Sequence, residues 1–273
     1  MKASYREPAV AGLFYPGDPD DLRHAIASYG ANVEPKIRAL GCVVPHAGYV
    51  YSGHVAGAVF SRLELPKRFI ILCPNHTGYG VPLSIMSEGA WRTPLGDAQV
   101  DQELAEALKN TYTLLEEDDL AHRKEHAIEV QLPFLQASVA ELRFVPIAVG
   151  TGNIEALRGL GEAIASVLNA QQLSSEQVLV IASSDMNHYE SDKLTRAKDH
   201  LALESLLALD ARGLYDTVMN ERISMCGYGP AVATLTATRA LGAHSAQLIK
   251  YATSAEVSGD FDRVVGYAGV IIS

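Results

Sequence analysis

The sequence predicts an α/β protein, a three-layer sandwich in which helices flank a largely parallel or mixed central sheet. Two observations predict it. Short β-rich runs alternate with helix-periodic stretches, and several of those runs are apolar throughout, as strands covered on both faces are. The strand candidates are GCVVP (41–45), RFIILCP (68–74), LRFVPIAVG (142–150), QVLVIAS (177–183), QLIKYAT (247–253) and VGYAGVIIS (265–273).

The helices carry start and stop signals. DPDDLRHAIASYG offers Asp18 as N-cap, Pro19 at the first helical position and Gly30 as terminator, with Leu22, Ile26 and Tyr29 on one face. SGHVAGAVFSRL starts near Ser52, and Val55, Val59 and Leu63 recur every fourth residue. DAQVDQELAEALKN, NIEALRGLGEAIASVLNA and KDHLALESLLALD read the same way. HAIEVQLPFLQASVAEL is helical with a kink or break expected at Pro133. GPAVATLTATRALG opens at Gly229 and Pro230 and closes at Gly242, and NAQQLSSEQ is a polar loop. No repeat or linker divides the chain, so residues 1–273 are expected to form one domain.

Composition narrows the function. The 273 residues are 48% hydrophobic and 20% charged, an ordinary soluble globular balance. A net charge of -10 leaves no basic footprint for nucleic acid or anionic lipid. The start, MKASYREPAV, lacks the apolar segment of a signal peptide, and no run approaches the roughly 18 apolar residues of a membrane span. A cytoplasmic protein is expected. Three cysteines without a CxxC signal neither a disulfide framework nor a zinc knuckle. Cys42 and Cys73 lie in strand runs and read as small buried hydrophobes.

The chemistry gathers at strand ends. His46 follows the first strand, His76 the second, and Asp185 and His188 the fourth. In an open parallel sheet all carboxyl ends share one edge, outside which ligands bind. One helical turn would set Asp185 beside His188, where the carboxylate would ligate a metal or fix an imidazole tautomer. Cys226, in SMCGYGPAVATL, precedes a helix whose N-terminus would favour a thiolate; alone it reads as a loop thiol, beside convergent histidines as a ligand. His126 and Glu129, spaced i, i+3 on a helix, would line the pocket or support the ligands. Tyr49 and Tyr51 would bring phenols to the rim, and Phe14 and Tyr15 an apolar wall, although core packing explains all four equally. His24, His54, His122, His200 and His244 are expected at the surface. Two imidazoles and a thiolate suit zinc, Fe(II) or copper, and three protein ligands leave positions open for catalysis.

Seven stretches, REPAVAGLFYP, VVPHAGYVYSG, ILCPNHTG, EHAIEVQLPFL, FVPIAVG, SSDMNHY and CGYGP, run in order from Arg6 to Pro230. Together they resemble the Memo family, also called AmmeMemoRadiSam system protein B, over nearly the whole chain. The resemblance implies a fold related to the class III, LigB-type extradiol dioxygenases. It implies His46, His76 and Cys226 as metal ligands, with Asp185 and His188 beside the metal and His188 as acid–base. Cys226 takes the place of a glutamate ligand in those dioxygenases, a departure that bears against ring cleavage. Gln131 stands where some relatives have histidine and is not counted as a ligand. The function expected is that of a metal-binding protein: an iron- or copper-dependent redox enzyme with a dioxygenase-like site, zinc remaining open as the metal. A small-molecule or peptide ligand and a radical-SAM partner are implied. The alternatives are a non-enzymatic adaptor with a relict pocket, in keeping with the family's namesake role in cell motility signalling, or a zinc-dependent hydrolase.

Overall fold

The computed structural model describes residues 5–30 and 34–273. The strands are β1 (Tyr5–Arg6), β2 (Gly41–Val44), β3 (Arg68–Pro74), β4 (Leu83–Ile85), β5 (Ala90–Thr93), β6 (Gly96–Val100), β7 (Glu116–Glu117), β8 (Arg143–Val149), β9 (Val178–Ser183), β10 (His188–Glu190), β11 (Ala246–Thr253) and β12 (Val264–Ile272). The helices are α1 (Pro19–Tyr29), α2 (Tyr49–Phe60), α3 (Gln102–Thr111), α4 (Leu132–Ser138), α5 (Ile154–Ala170), α6 (Asp192–Leu207), α7 (Ala211–Asn220), α8 (Tyr228–Ala240) and α9 (Ala255–Ser258). All strands join one sheet, whose main path is β1-β5-β6-β8-β3-β9-β2-β12-β10.

The inner strands β6, β8, β3, β9 and β2 run parallel, so their carboxyl ends share one edge. Beyond β2 the sheet turns antiparallel, with β12 pairing β2, β11 and β10. The sheet is therefore mixed. Only residues 254–263 join β11 to β12, too few for the crossover of a dozen or more residues that a parallel pair needs.

Side-chain parity builds the two faces. Ile70 and Leu72 of β3, with Val145 and Ile147 of β8 and Val180 and Ala182 of β9, enter one core with Leu160, Ile164, Val232 and Leu235 of α5 and α8. The alternate residues Phe69, Ile71, Cys73, Leu179 and Ile181 enter a second core with Tyr49, Phe60 and Phe134. That is the expected three-layer arrangement. Cys42 and Cys73 are fully buried in it, as their apolar surroundings predict.

Several local expectations need correction. DAQV is not the start of a helix but part of β6, in which Ala98 and Val100 are buried while Asp97 and Gln99 are exposed, a period of two. The helix waits for Asp101, which accepts the Leu104 N–H at 3.2 Å. Pro133 breaks nothing, because it sits in the first turn of α4, where its missing N–H is not required. His126 precedes that helix in a loop, and a three-ten turn covers Glu129–Gln131. Helix α2 begins at Tyr49 rather than Ser52. Among the described residues no helix is long and apolar enough to cross a membrane.

Candidate metal centre

The parallel register sets the geometry. Val44 of β2 lies opposite Ser183 of β9, and Leu72 of β3 opposite Ala182, so three strands end nearly level. His46, His76 and Asp185 each sit two residues beyond their strand. The loop before α4 brings a third imidazole. One ligand atom from each of His46, His76 and His126 lies within 4.8 Å of the others, a grouping able to hold a metal ion. The His76 and His126 rings stack with centroids 4.9 Å apart, and Phe14 closes the edge of His126 at 4.8 Å.

Hydrogen bonds assign the imidazole protons. Ser183 Oγ donates to the Ala127 carbonyl at 2.7 Å, so it can only accept from His46 Nδ1, at 3.0 Å. His46 therefore carries its proton on Nδ1 and presents a bare Nε2. His76 is fixed the same way, with Nδ1 donating to Glu125 Oε1 at 2.9 Å. Carboxylate and hydroxyl partners of this kind orient metal-binding imidazoles. Burial, with His76 and His126 alongside, pushes His46 well below its ordinary value and keeps it neutral. Burial also lowers His126. For His76 burial acts downward too, but Glu125 outweighs it and the net shift is upward. Glu125 itself would be raised by burial, yet the His76 hydrogen bond and charge prevail and hold it at about 2.

Cys226 approaches His46 but is not one of the three residues whose ligand atoms cluster. Its Sγ lies 3.3 Å from His46 Nε2. The thiol is raised by burial and by the Asp185 charge, so the helix terminus that follows it does not by itself make a thiolate. The segment is clamped to the end of β9: Gly227 N–H donates to Ser184 Oγ at 3.0 Å, and a Cβ at Gly227 would come within 2.5 Å of the Ser183 carbonyl oxygen. Only glycine permits that approach.

Asp185 and His188 are not set side by side by a helical turn, because His188 opens β10 and pairs with Val265 instead. Asp185 is buried, which raises its carboxyl, and Oδ1 accepts the His46 N–H at 2.8 Å. It thus braces the loop that carries His46. His188 Nδ1 donates to the Ser224 carbonyl at 2.9 Å. Among the described residues no hydrogen bond joins the two.

Three further expectations fail. Glu129 turns away from His126 into a buried cluster, taking Arg6 Nη1 at 2.7 Å and Tyr15 OH at 2.7 Å. Tyr49 is core rather than rim, its ring tilted against Phe134 with centroids 4.8 Å apart and its hydroxyl donating to the Val130 carbonyl. His122, expected at the surface, is fully buried beside Trp91, and burial lowers it to about 4. Gln131 supports the site without facing it as a ligand, donating from Nε2 to Ser183 Oγ and the Pro45 carbonyl. Sequence reasoning missed Glu125 and Ser183. The signal was present in KEHAIE, an acid beside a histidine, and in the serine that closes VLVIAS.

Fold and site together define a three-layer α/β protein with a histidine cluster at the carboxyl edge of its parallel strands. A family model described as Memo-like protein matches residues 6–271, and the chain belongs to that family. A MEMO1 family protein of Methanosarcina barkeri is 45% identical over 98% of this chain and 99% of its own length. One from Methanopyrus kandleri is 44% identical over 97% and 98%. Among solved structures, an uncharacterized protein from Escherichia coli K12 shares the fold with a TM-score of 0.56 at 13% identity, covering 85% of this chain and 98% of that one.

Proposed function

We propose that the protein is a metal-dependent redox enzyme whose iron or copper ion is held by His46, His76 and Cys226. The observation that carries this is the 3.3 Å from Cys226 Sγ to His46 Nε2. Two ligands at ordinary metal–sulfur and metal–nitrogen bond lengths, roughly at right angles to tetrahedral, stand about 3.1–3.6 Å apart. His46 and His76 also belong, with His126, to a group whose ligand atoms lie within 4.8 Å of one another, which supports a shared ion. A bound iron or copper ion supplies Lewis acidity and one-electron chemistry at the positions that three protein ligands leave open.

The chain's own groups do the rest. Ser183 and Glu125 hold the two imidazoles in the metal-binding tautomer, and Phe14 shields His126 from water. His188 is tied through Nδ1 to the Ser224 carbonyl, and among the described residues its Nε2 makes no hydrogen bond, which leaves that atom for an acid–base role. A radical-SAM protein belongs to the proposal as the partner of this centre. The test is metal content after oxygen-free purification: iron or copper near one per chain in the wild type, and loss in His46→Ala and Cys226→Ser. Retained metal in both variants would overturn the ligand set.

A second reading, a binding protein that keeps the pocket for a peptide, has one observation in its favour. Close in sequence to His46, His76 and His188, Val50 of α2, Tyr79 and Tyr189 of β10 are exposed at 66%, 59% and 68%. Partner binding that survives both substitutions would favour it over the redox reading.

A further inference from the structure

The imidazole grouping holds one more ring than the proposed ligand set uses. His126 offers a ligand atom within 4.8 Å of those of His46 and His76, although it comes from the loop before α4 rather than from a strand end. Two metal–nitrogen bonds of about 2.1 Å at a tetrahedral angle set their nitrogens roughly 3.4 Å apart. Small ring movements therefore bring all three imidazoles from this grouping onto one ion.

The three rings are not held alike. His46 is fixed through Nδ1 by Ser183 Oγ at 3.0 Å, and His76 through Nδ1 by Glu125 Oε1 at 2.9 Å. Among the described residues no hydrogen bond reaches either ring nitrogen of His126. Glu125 Oε1 stands 3.5 Å from its Nδ1, but that oxygen already accepts His76 Nδ1–H and the backbone N–H groups of His126 and Ala127. Packing alone places the ring. It stacks on His76 with centroids 4.9 Å apart and planes 17° from parallel, and Phe14 meets it in a T-shaped contact at 4.8 Å. Neither contact has the direction of a hydrogen bond, so the ring can slide and turn. Solvent is at hand, since 21% of the His126 side chain is exposed; His76 is more exposed, at 33%, but its carboxylate holds it.

We infer that His126 is a displaceable fourth ligand of the ion, occupying one of the positions that His46, His76 and Cys226 leave open and yielding it to an incoming ligand. The inference rests on the metal-centre reading and adds a gate to it. The coordination bond to one His126 nitrogen breaks as the bond to the newcomer forms, and the imidazole leaves with its lone pair, so no electron is transferred. A partner on the far nitrogen orients a ligating histidine and keeps it in place. Among the described residues, His126 is the one ring of the three that lacks such a partner.

The test loads the full chain with Co(II), whose absorption reports ligand number and type, and titrates azide as the incoming ligand. Wild type and His126→Ala should each bind near one Co(II) per chain, and His46→Ala should lose it. His126→Ala is expected to bind azide about tenfold more tightly, the change for a closed form that outnumbers the open one about ten to one. Its altered cobalt spectrum should return to that of the wild type when imidazole is added. In the wild type, Co(II) should protect His126 from diethyl pyrocarbonate and azide should restore the reaction, a readout that needs no variant. Equal azide affinity and unaltered spectra in His126→Ala, or modification of His126 indifferent to cobalt, would overturn the inference and leave the ligand set standing. Cobalt that fails to bind, or that stays in His46→Ala, would overturn the metal-centre reading and this inference with it.

Discussion

The Asn187 side-chain oxygen accepts both the backbone N–H and the hydroxyl of Ser224, each at 3.0 Å. Asn187 is fully buried, and its own N–H donates to Asp199 at 2.8 Å. One amide thus ties the exit of β9 to the segment that delivers Cys226, two residues beyond Ser224. Asn187→Ala removes the acceptor of the Ser224 N–H, while the Ser224 hydroxyl keeps the His188 carbonyl at 3.2 Å, and stability is expected to fall by about 1–2 kcal/mol in urea denaturation. The freed segment should also expose the thiol. Modification of Cys226 by a thiol reagent is expected to quicken in native buffer, with Cys42 and Cys73 remaining protected.

Arg6 and Glu129 form a buried ion pair that fastens the N-terminal segment under the site. The same carboxylate accepts the Ala9 and Val10 N–H groups at 2.8 and 3.0 Å, and Arg6 Nε donates to the His122 carbonyl at 2.7 Å. Removing one partner strands the other charge out of water. Arg6→Ala or Glu129→Ala is expected to cost about 3–5 kcal/mol, measured by denaturation. Glu129→Gln, which keeps an acceptor, should cost less than Glu129→Ala.

Asp199 makes stability depend on pH. Burial raises its carboxyl to about 7 although Tyr251 OH and Asn187 N–H bond it and Arg196 lies near. The folded chain therefore binds this proton more tightly than the unfolded chain does. Its contribution to stability is fully present below the ordinary carboxyl value of 3.8 and is lost as pH rises through about 7. Asp199→Asn keeps an acceptor for Asn187 and removes the titration. The gap in stability between variant and wild type is expected to widen in the variant's favour from pH 4 to pH 8, read as melting temperature against pH.

Much of this site could be read in the sequence because a parallel sheet converts strand order into position. His46, His76 and Asp185 each follow an apolar run, and runs of that kind end at one edge. Cys226 was reachable only through its company, since nothing in SMCGYG fixes its distance from His46. The errors came where local spacing stood in for tertiary contact. His126 and Glu129 are three apart, but a loop and a three-ten turn send one to the metal centre and the other to Arg6. Asp185 and His188 are also three apart, yet pairing of β10 with β12 overrides the helical turn. The short strands from β4 to β7 escaped because DAQV and EE carry too little apolar pattern to compete with helical neighbours.

Ser183 offers the sharpest test of the centre, because its hydroxyl governs the His46 tautomer without touching the metal position. Its proton goes to Ala127, and its lone pairs take His46 Nδ1–H and Gln131 Nε2–H at 3.0 and 2.9 Å. In Ser183→Ala, His46 Nδ1 loses its acceptor, the Nδ1–H tautomer loses its advantage, and Nε2 is no longer held bare. Partners that fix a ligating histidine typically govern metal affinity by 10–100-fold. Competition with a chelator is expected to show a loss of roughly that size in Ser183→Ala. Serine and alanine differ by one buried oxygen, so the fold should survive. Ser183→Thr, which restores a hydroxyl, should recover part of the affinity, whereas a defect of packing alone would worsen with the extra methyl group.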